Sequence, residues 1–551
     1  VAGLAGVAAA GYLGGDLLQH RSAAATARPV ASPIDNTPTS TAGPTEAASP
    51  PAAQSPAGSA GPTGPAKPTS LPSAATPARA AIVNATPTAT HPAPAATQVA
   101  ARATPTTIAR TRQPNVILIT VDTLRADRLG AYGFAQAHTP TLDRFASEGI
   151  RFDHAICQLP QTNASHAALL TGLYPSTNGL KIHMVDHIKS GVPTMASVFA
   201  NAGYRTAGIY SWVSLDPQFC GLNAGFQTYE GYVLNRSLVF SNPQLEQIAA
   251  WYRQIKSQVP VIQTADLALN SSQDFESTLD GRADVTNAAV FHWLDNHPTN
   301  EPFFLWVHYF DPHYPYNPPA GFDHLFGLKY SGAIDGSVAT IHELEDNQRK
   351  LSDADVARLG ELYQGEISYV DSQIGSLFQK LQSMGLADDT IMLLTGDHGE
   401  SFGEHGDWVH GTKVYESEIR VPLVVRYPRQ VPAGGVVRVP VQSIDVLPTV
   451  LQLTGITPPK ALQGQSFASL LKKPTDSPAR VAFTELADES FVSLLTAEWK
   501  LIRNNANGEL QLYHLSQDES EANEVSASQG AVTRNLGAQL QDYMKFSGVS
   551  H

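Results

Sequence analysis

The sequence predicts an α/β fold, a mainly parallel mixed sheet sandwiched by helices, followed by a smaller C-terminal α+β subdomain. Three observations predict it. "NVILITV" at 115–121 is a near-continuous β-branched run, the signature of a strand buried on both faces of a parallel sheet. Strand-like and helix-like segments then alternate, with helices expected at 140–148, 194–202, 284–296 and 365–384, and strands at 205–210, 302–309, 390–395 and 421–427. Past Pro459 the pattern changes: "VAFTELADESFVSLLTAEWKLIRNN" and "ELQLYHL" read as a short antiparallel meander, and the end reads as a helix.

The segment before the first strand has a different character. "VAGLAGVAAAGYLGGDLL" is small and apolar and reads as the remnant of a membrane anchor or signal segment, over residues 1–20. Residues 21–113 are rich in Ala, Pro, Thr and Ser with almost no aromatics. They cannot bury enough apolar surface to offset chain entropy, so a disordered stalk is expected. The main α/β domain is then 114–458 and the C-terminal subdomain 459–551. An anchor or export signal ahead of a stalk places the protein outside the cytoplasm, exported or held at a membrane. A net charge of −14 excludes the basic footprint that a nucleic-acid binder needs. Two cysteines, Cys157 and Cys220, are too few for a disulfide framework and lack zinc-type spacing, although one bridge between them stays open. The oligomeric state is left open as well.

In open α/β sheets, ligands bind at the carboxyl ends of the parallel strands. Two acidic motifs fall there: Val121-Asp122-Thr123 after the first strand, and Asp397-His398-Gly399-Glu400 after "TIMLLTG". A lone Asp in such a place is usually a turn or cap residue. Two of them, one beside a histidine, would supply two carboxylates and an imidazole to one divalent cation, a mix that suits zinc or manganese better than calcium.

"QTNASHAALLTG" at 161–172 is polar and then apolar, so Thr162 or Ser165 could simply cap a helix. A hydroxyl at a helix start also faces an anion with backbone N–H groups. Beside a bound cation that hydroxyl loses its proton more easily and becomes a nucleophile, with His166 and Arg125 available to orient it or balance charge. "PFFLWVHYFDPHYPYNPP" adds His308 and His313, and "DHGESFGEHGDWVHG" adds His405 and His410. Of these, His313 and His410 are the better candidates for substrate contact or leaving-group protonation. His308 is balanced between that role and a place in the core, and His405 reads as a surface loop residue.

Taken together, these motifs resemble the sulfatases, within the alkaline-phosphatase-like superfamily. "NVILITVDTLRADRLGAYG" is similar to the family's opening strand and metal motif. "TNASHAALLTGLYPSTNGL" is similar to its nucleophile signature, and "FFLWVHYFDPHYPY", "YQGEISYVDSQIGSLFQKL", "DHGESFGEHG", "YESEIRVPLVV" and "WKLIRN…LQLYHLSQDESEANE" follow in the family's order. The resemblance spans Asn115 to about Asn523. It implies Asp122, Asp397 and His398 as metal ligands, Thr162 as nucleophile and His313 on the substrate side. The cofactor it implies is a divalent metal ion: zinc, manganese or calcium.

The departures from the family carry chemistry. Sulfatases have a second acidic residue where Thr123 stands, which makes Thr123 a weak ligand at best. They have a Cys or Ser oxidised to formylglycine where Thr162 stands, so no formylglycine is expected. Ala164 and His166 replace the Pro and Arg of the signature, and "YSWV" at 210–213 replaces a Gly-Lys-Trp-His stretch. A formylglycine hydrate can shed sulfate by breaking its own C–O bond, but a threonine ester has no second hydroxyl on that carbon. Water or another acceptor must attack sulfur or phosphorus instead. The expected function is thus metal-dependent hydrolysis of sulfate or phosphate esters through a covalent threonine intermediate, on a small-molecule, glycan or lipid ester. The spacing in "DHGESFGEHGDWVHG" also resembles the phosphoethanolamine transferases, whose last histidine (here His410) binds a second zinc. That makes headgroup transfer to an envelope lipid or glycan the alternative, ahead of a non-catalytic metal-binding relative.

Overall fold

The computed structural model describes residues 113–231, 281–297, 301–345, 349–475 and 478–549. The expected anchor remnant, and the stalk as far as residue 112, lie outside them. No helix among the described residues is long and apolar enough to cross a membrane.

Nine strands of the described residues form the main sheet. In chain order they are β1 (Asn115–Val121), β2 (Ile150–Ile156), β3 (Arg205–Tyr210), β4 (Thr228–Gly231), β5 (Phe303–Tyr309) and β6 (Thr390–Gly396). After the small hairpin of β7 (Ser401–Phe402) and β8 (Trp408–Val409) come β9 (Arg420–Arg426), β10 (Gly435–Val437) and β11 (Val441–Gln442). The sheet order is β10-β2-β9-β6-β1-β5-β3-β4, with β11 also on β2. All its pairings are parallel except those of β9 with β2 and β6, which makes the sheet mixed but mainly parallel, as its sequence predicts.

Strands β1, β5 and β6 are buried along their whole length because helices cover both faces. Val116 and Leu118 of β1 pack into one apolar cluster, whereas Ile117, Ile119 and Val121 pack into another on the opposite face. A run of branched apolar residues is the sequence such a two-sided strand needs. The long helix Asp353–Ser383 starts twelve residues before the 365 that apolar periodicity indicates. Its beginning is set by a Ser352/Asp355 capping box, and its first turns are polar and carry little apolar signal.

Strand β2 has no counterpart among the sequence-derived strands. Its "IRFDHAI" mixes charged and apolar residues, and its burial is partial. The two cysteines are both free and buried, so the bridge left open by the sequence does not form.

Strands β12 (Ala482–Glu485), β13 (Phe491–Leu495), β14 (Trp499–Asn504) and β15 (Leu510–His514) form the antiparallel meander, covered by the helix Gly530–Ser547. Leu536, Leu540 and Met544 of that helix pack on Val492, Leu494, Leu501 and Leu512, and the same cluster includes Ala168 and Tyr174. Thr484 donates to the Cys157 carbonyl at 2.7 Å, the Glu485 N–H to the Gln158 carbonyl at 3.0 Å, and Glu485 Oε1 accepts the Ser176 N–H at 3.0 Å. The meander therefore braces both ends of the segment that carries Thr162.

Candidate active site

Strand register brings the two acidic motifs together. Val121 pairs with Gly396 across β1 and β6, so Asp122 and Asp397 leave the sheet side by side. On the other flank Thr120 pairs with His308 of β5. Gly399 is required where it stands, because a Cβ there would collide with the Ser417 carbonyl oxygen.

Asp122 is fully enclosed, and neither of its carboxylate oxygens has a hydrogen-bond partner. Asp397 Oδ1 accepts the N–H groups of Thr123 (3.1 Å) and His398 (2.8 Å), while Oδ2 has no partner. The His398 ring donates from Nδ1 to the Gly399 carbonyl at 3.0 Å. Its bare Nε2 then points into the gap, 3.6 Å from Asp122 Oδ1, 3.5 Å from Asp397 Oδ2 and 3.4 Å from Thr162 Oγ1. The ligand atoms of Asp122, Asp397 and His398 all lie within 4.8 Å of one another.

Burial pushes the Asp122 carboxyl up, and burial with the neighbouring Asp122 pushes Asp397 well above the ordinary carboxylate range. Leaving three buried carboxylate oxygens without a partner costs several kcal/mol, of order 1–3 kcal/mol for each unsatisfied group and more when it is charged. A divalent cation bound by these oxygens, His398 Nε2 and the Thr162 hydroxyl would relieve that cost, and the mix of oxygen and imidazole donors fits such an ion.

Thr162 is the first residue of the helix Thr162–Thr171, all ten residues of which are buried. The N-cap position belongs to Gln161, which corrects the capping role considered for Thr162 or Ser165. The Thr162 side chain makes no cap bond, and the Ser165 hydroxyl donates to the Asp397 carbonyl at 2.6 Å. A hydroxyl spared from capping is free to face the carboxylates.

Of the two residues expected to orient Thr162 or balance charge beside it, His166 reaches Thr162 through the backbone carbonyl and Arg125 is engaged by carboxylates further away. His166 Nδ1 donates to the Thr162 carbonyl at 2.6 Å, and Nε2 accepts from the Thr120 hydroxyl at 3.0 Å, which itself accepts Trp306 Nε1–H at 2.9 Å. Both ring nitrogens are committed. His166 is a neutral post behind the helix start, held neutral by burial, which lowers its pKa to about 3. Its proximity to His308 and Asp397 therefore offers no ligand atom. Arg125 is spent on Asp127 (2.7 Å), Glu404 (2.7 Å) and the Glu400 carbonyl (2.7 Å).

Thr123 lies in the left-handed region at φ 51°, a strained conformation for a β-branched residue that costs roughly 1–3 kcal/mol. Its hydroxyl is buried without a partner, and its carbonyl accepts the Tyr363 hydroxyl at 2.7 Å.

Three further histidines surround the centre. His308 accepts the Ser211 N–H at Nδ1 (3.4 Å), and its Nε2 stands 3.3 Å from Asp122 Oδ2. His313 donates from Nδ1 to the Tyr314 carbonyl at 2.6 Å and is stacked between Phe310 and Tyr314, with ring centroids at 4.6 and 4.4 Å. Burial lowers its pKa to about 4. His410 rings against both His313 (5.1 Å) and His398 (4.4 Å), and its Nδ1 lies 2.9 Å from Glu400 Oε1. His405 instead stacks on Tyr415, ring on ring at 3.6 Å.

Sequence reasoning overlooked three residues. Glu400 stands within the quoted acidic motif, and its spacing from His410 was the available signal. Asn163 follows Thr162 with both amide atoms buried and unpartnered. His183 is buried close enough to His410 and His313 to feel their charge, and nothing in "KIHM" marks it.

Comparison with known proteins agrees with this geometry. The Sulfatase family model matches residues 114–456, and the model of the N-sulphoglucosamine sulphohydrolase C-terminal region matches 403–546. An arylsulfatase of Clostridium perfringens is 27% identical over 436 residues, covering 74% of this chain and 89% of its own length. Among solved structures, the phosphonate monoester hydrolase of Agrobacterium radiobacter is similar with a TM-score of 0.60 and 21% identity, over 79% of this chain and 96% of its own. A protein solved with its substrate D-glucosamine-2-N,6-O-disulfate is similar with a TM-score of 0.60 and 20% identity, over 79% of this chain and 98% of its own.

Proposed function

The chain belongs to the sulfatase family of ester hydrolases, and we propose that it is a metal-dependent member whose nucleophile is Thr162 itself, acting on sulfate, phosphate or phosphonate monoesters. The observation that carries the reading is the convergence of three unpartnered carboxylate oxygens, His398 Nε2 and a threonine hydroxyl that makes no cap bond. The family supports sulfate esters. Phosphorus esters are supported by the threonine and by the fold shared with a phosphonate monoester hydrolase.

Asp122, Asp397 and His398 would hold the metal ion, with the Thr162 hydroxyl beside them and Thr123 supplying a backbone N–H to Asp397 rather than a ligand. Such an ion supplies Lewis acidity, which polarises the ester and lowers the pKa of a neighbouring hydroxyl. The Thr162 hydroxyl attacks sulfur or phosphorus in line, forming a covalent ester as the bond to the leaving oxygen breaks, and its proton passes by way of the bare Nε2 of His313 or His410 to that leaving oxygen. Water then attacks the same sulfur or phosphorus on the return path. The same histidine takes one proton of that water and hands it to the Thr162 oxygen as the S–O or P–O bond to Thr162 breaks, regenerating the hydroxyl. His166 and Ser165 fix the helix that aims Thr162, and the His313 wall excludes water from one side.

A panel of aryl sulfate, phosphate monoester and phosphonate monoester with added zinc, manganese or calcium, read by turnover and by the mass of the peptide containing Thr162, tests this. A sulfate- or phosphate-sized adduct on Thr162, lost together with turnover in Thr162→Ala, is the expected result. A Thr162→Ala protein that turns over normally would sink it.

A further inference from the structure

The Glu400 side chain is fully enclosed and has two partners. Oε1 lies 2.9 Å from His410 Nδ1, and Oε2 accepts the Tyr316 hydroxyl at 3.1 Å. With Oε2 already accepting the Tyr316 hydroxyl, Glu400 serves this pair as acceptor through Oε1, and the proton of the contact is carried on His410 Nδ1. That fixes the ring with Nε2 turned away from Glu400, and the ring itself lies against His398 and His313, with centroids at 4.4 and 5.1 Å.

The backbone around His410 is held on both sides. Val409 adopts φ 62°, a left-handed conformation that a β-branched residue takes only when its surroundings enforce it, and the Gly411 N–H donates to Glu418 Oε2 at 2.8 Å. His410 also differs from the other histidines in access. Its side chain is 12% exposed, whereas those of His166, His308 and His398 are 0% exposed.

We infer that Glu400 is a positioning residue for the hydrolysis: it locks the ring orientation and tautomer of His410 so that Nε2, and not His313, meets the leaving-group oxygen. This deepens the reading above and rests on it. The pairing follows the carboxylate–imidazole logic by which a buried acid orients a catalytic ring without itself exchanging the proton. In the step concerned, the bond from sulfur or phosphorus to the leaving oxygen breaks with its electron pair going to that oxygen. With its proton on Nδ1 the ring offers a bare Nε2, which takes the proton that the attacking hydroxyl gives up and passes it to the leaving oxygen, while the Nδ1–H···Glu400 contact is kept throughout. Tyr316 holds the carboxylate's second oxygen and so keeps Glu400 from turning away.

The test compares wild type, Glu400→Gln, Tyr316→Phe, His410→Gln and the Glu400→Gln/His410→Gln double variant on one aryl ester series with para-nitrophenyl, chlorophenyl and phenyl leaving groups. A nitrophenolate leaves without a proton, so a fault in proton delivery shows on phenol. Glu400→Gln is expected to lose about 10-fold on the nitrophenyl ester and about 1,000-fold on the phenyl ester, within the range of general acid catalysis. Tyr316→Phe should show the same slope at smaller size. In the His410→Gln background, Glu400→Gln should add less than about 3-fold. Long-range nitrogen–proton NMR of the resting protein should show His410 protonated at Nδ1 in wild type and mixed between tautomers in Glu400→Gln.

Equal losses on all three esters, or full additivity with His410→Gln, would overturn the positioning role. So would an unchanged tautomer in a folded Glu400→Gln protein. The NMR measurement requires no turnover, and the slope compares leaving groups whatever the nucleophile. A failure of Thr162 as nucleophile would therefore show in the adduct experiment and leave these readouts intact.

Discussion

Two buried charge clusters in this chain invite comparison, because one is balanced by the protein and the other is not. In the C-terminal meander, Lys500 is fully enclosed with its ammonium 3.1 Å from Glu416 Oε1 and 2.8 Å from Glu521 Oε1, and the Glu416 N–H donates to Glu521 Oε2 at 2.6 Å. Burial alone would lower the Lys500 pKa, but the two carboxylates raise it, so it stays charged. At the ends of β1 and β6, Asp122 and Asp397 have comparable burial and no ammonium or guanidinium on their open oxygens, Arg125 being spent elsewhere. The first arrangement is what a fold builds for itself. The second costs stability unless something from outside completes it, which is the ground for proposing it as the functional centre.

The sharpest way to break the comparison is Asp397→Asn. Asn Oδ1 can still accept the Thr123 and His398 N–H groups, so the local backbone keeps its bonds while the charge disappears. Turnover is expected to fall by at least about 1,000-fold and metal content, measured by elemental analysis of the purified protein, to drop. The melting temperature of the metal-free protein should hold or rise, because one of two crowded carboxylates is gone. A large loss of stability would place Asp397 with the structural clusters instead.

Lys500→Met probes the other side. Removing the ammonium that pairs with Glu416 and Glu521 leaves both carboxylates buried, a loss of about 3–5 kcal/mol by urea unfolding. The folded fraction should turn over at the wild-type rate, since Lys500 serves the meander and not the centre. If kcat fell in proportion to stability, the two clusters would not be separable.

Legibility followed the same division. Strands β1, β5 and β6 could be read because two-sided burial demands unbroken apolar runs, and the candidate metal ligands because they sit where such strands end. Strand β2 could not, since its partial burial admits Arg151, Asp153 and His154, and the start of the Asp353–Ser383 helix was hidden by its polar turns. Within the site, chemistry-bearing types were easy to nominate and their engagement was not. Arg125 and His166 carry suitable groups, yet their hydrogen bonds are taken by partners distant in sequence: Glu400 and Glu404 for Arg125, Thr120 for His166. Glu400 and His183 were missed for the converse reason, because only folding shows what a lone Glu or His faces.

Metal removal gives a smaller and reversible effect. A ligand present at a hundredfold excess over its dissociation constant stabilises the folded state by about 2.7 kcal/mol. Chelation should therefore lower the unfolding midpoint by that order in wild type and abolish turnover, with both restored by zinc or manganese. The Asp397→Asn protein should show no shift on chelation. A wild-type midpoint indifferent to chelator and metal would mean that Asp122 and Asp397 tolerate each other without a cation.

The smallest effect concerns Glu418, which lies between the two clusters in kind: fully buried, without a cation, but accepting the N–H groups of Gly411 (2.8 Å) and Lys413 (3.3 Å). Burial, with Asp407 nearby, pushes its pKa up to about 8, against 4.5 for an ordinary glutamate. Between those two values the folded protein holds a proton that the unfolded chain has released, so this group's contribution to stability falls as pH rises and levels off above 8. Glu418→Gln removes the titration and keeps an acceptor for the two N–H groups. Relative to wild type, the variant should gain stability as pH rises from roughly 5 to roughly 8.5, read from urea midpoints at both. A gain of the same size at both pH values would trace to packing. A loss confined to high pH would show that the ionised carboxylate is held well by Gly411 and Lys413, which would move Glu418 into the balanced class.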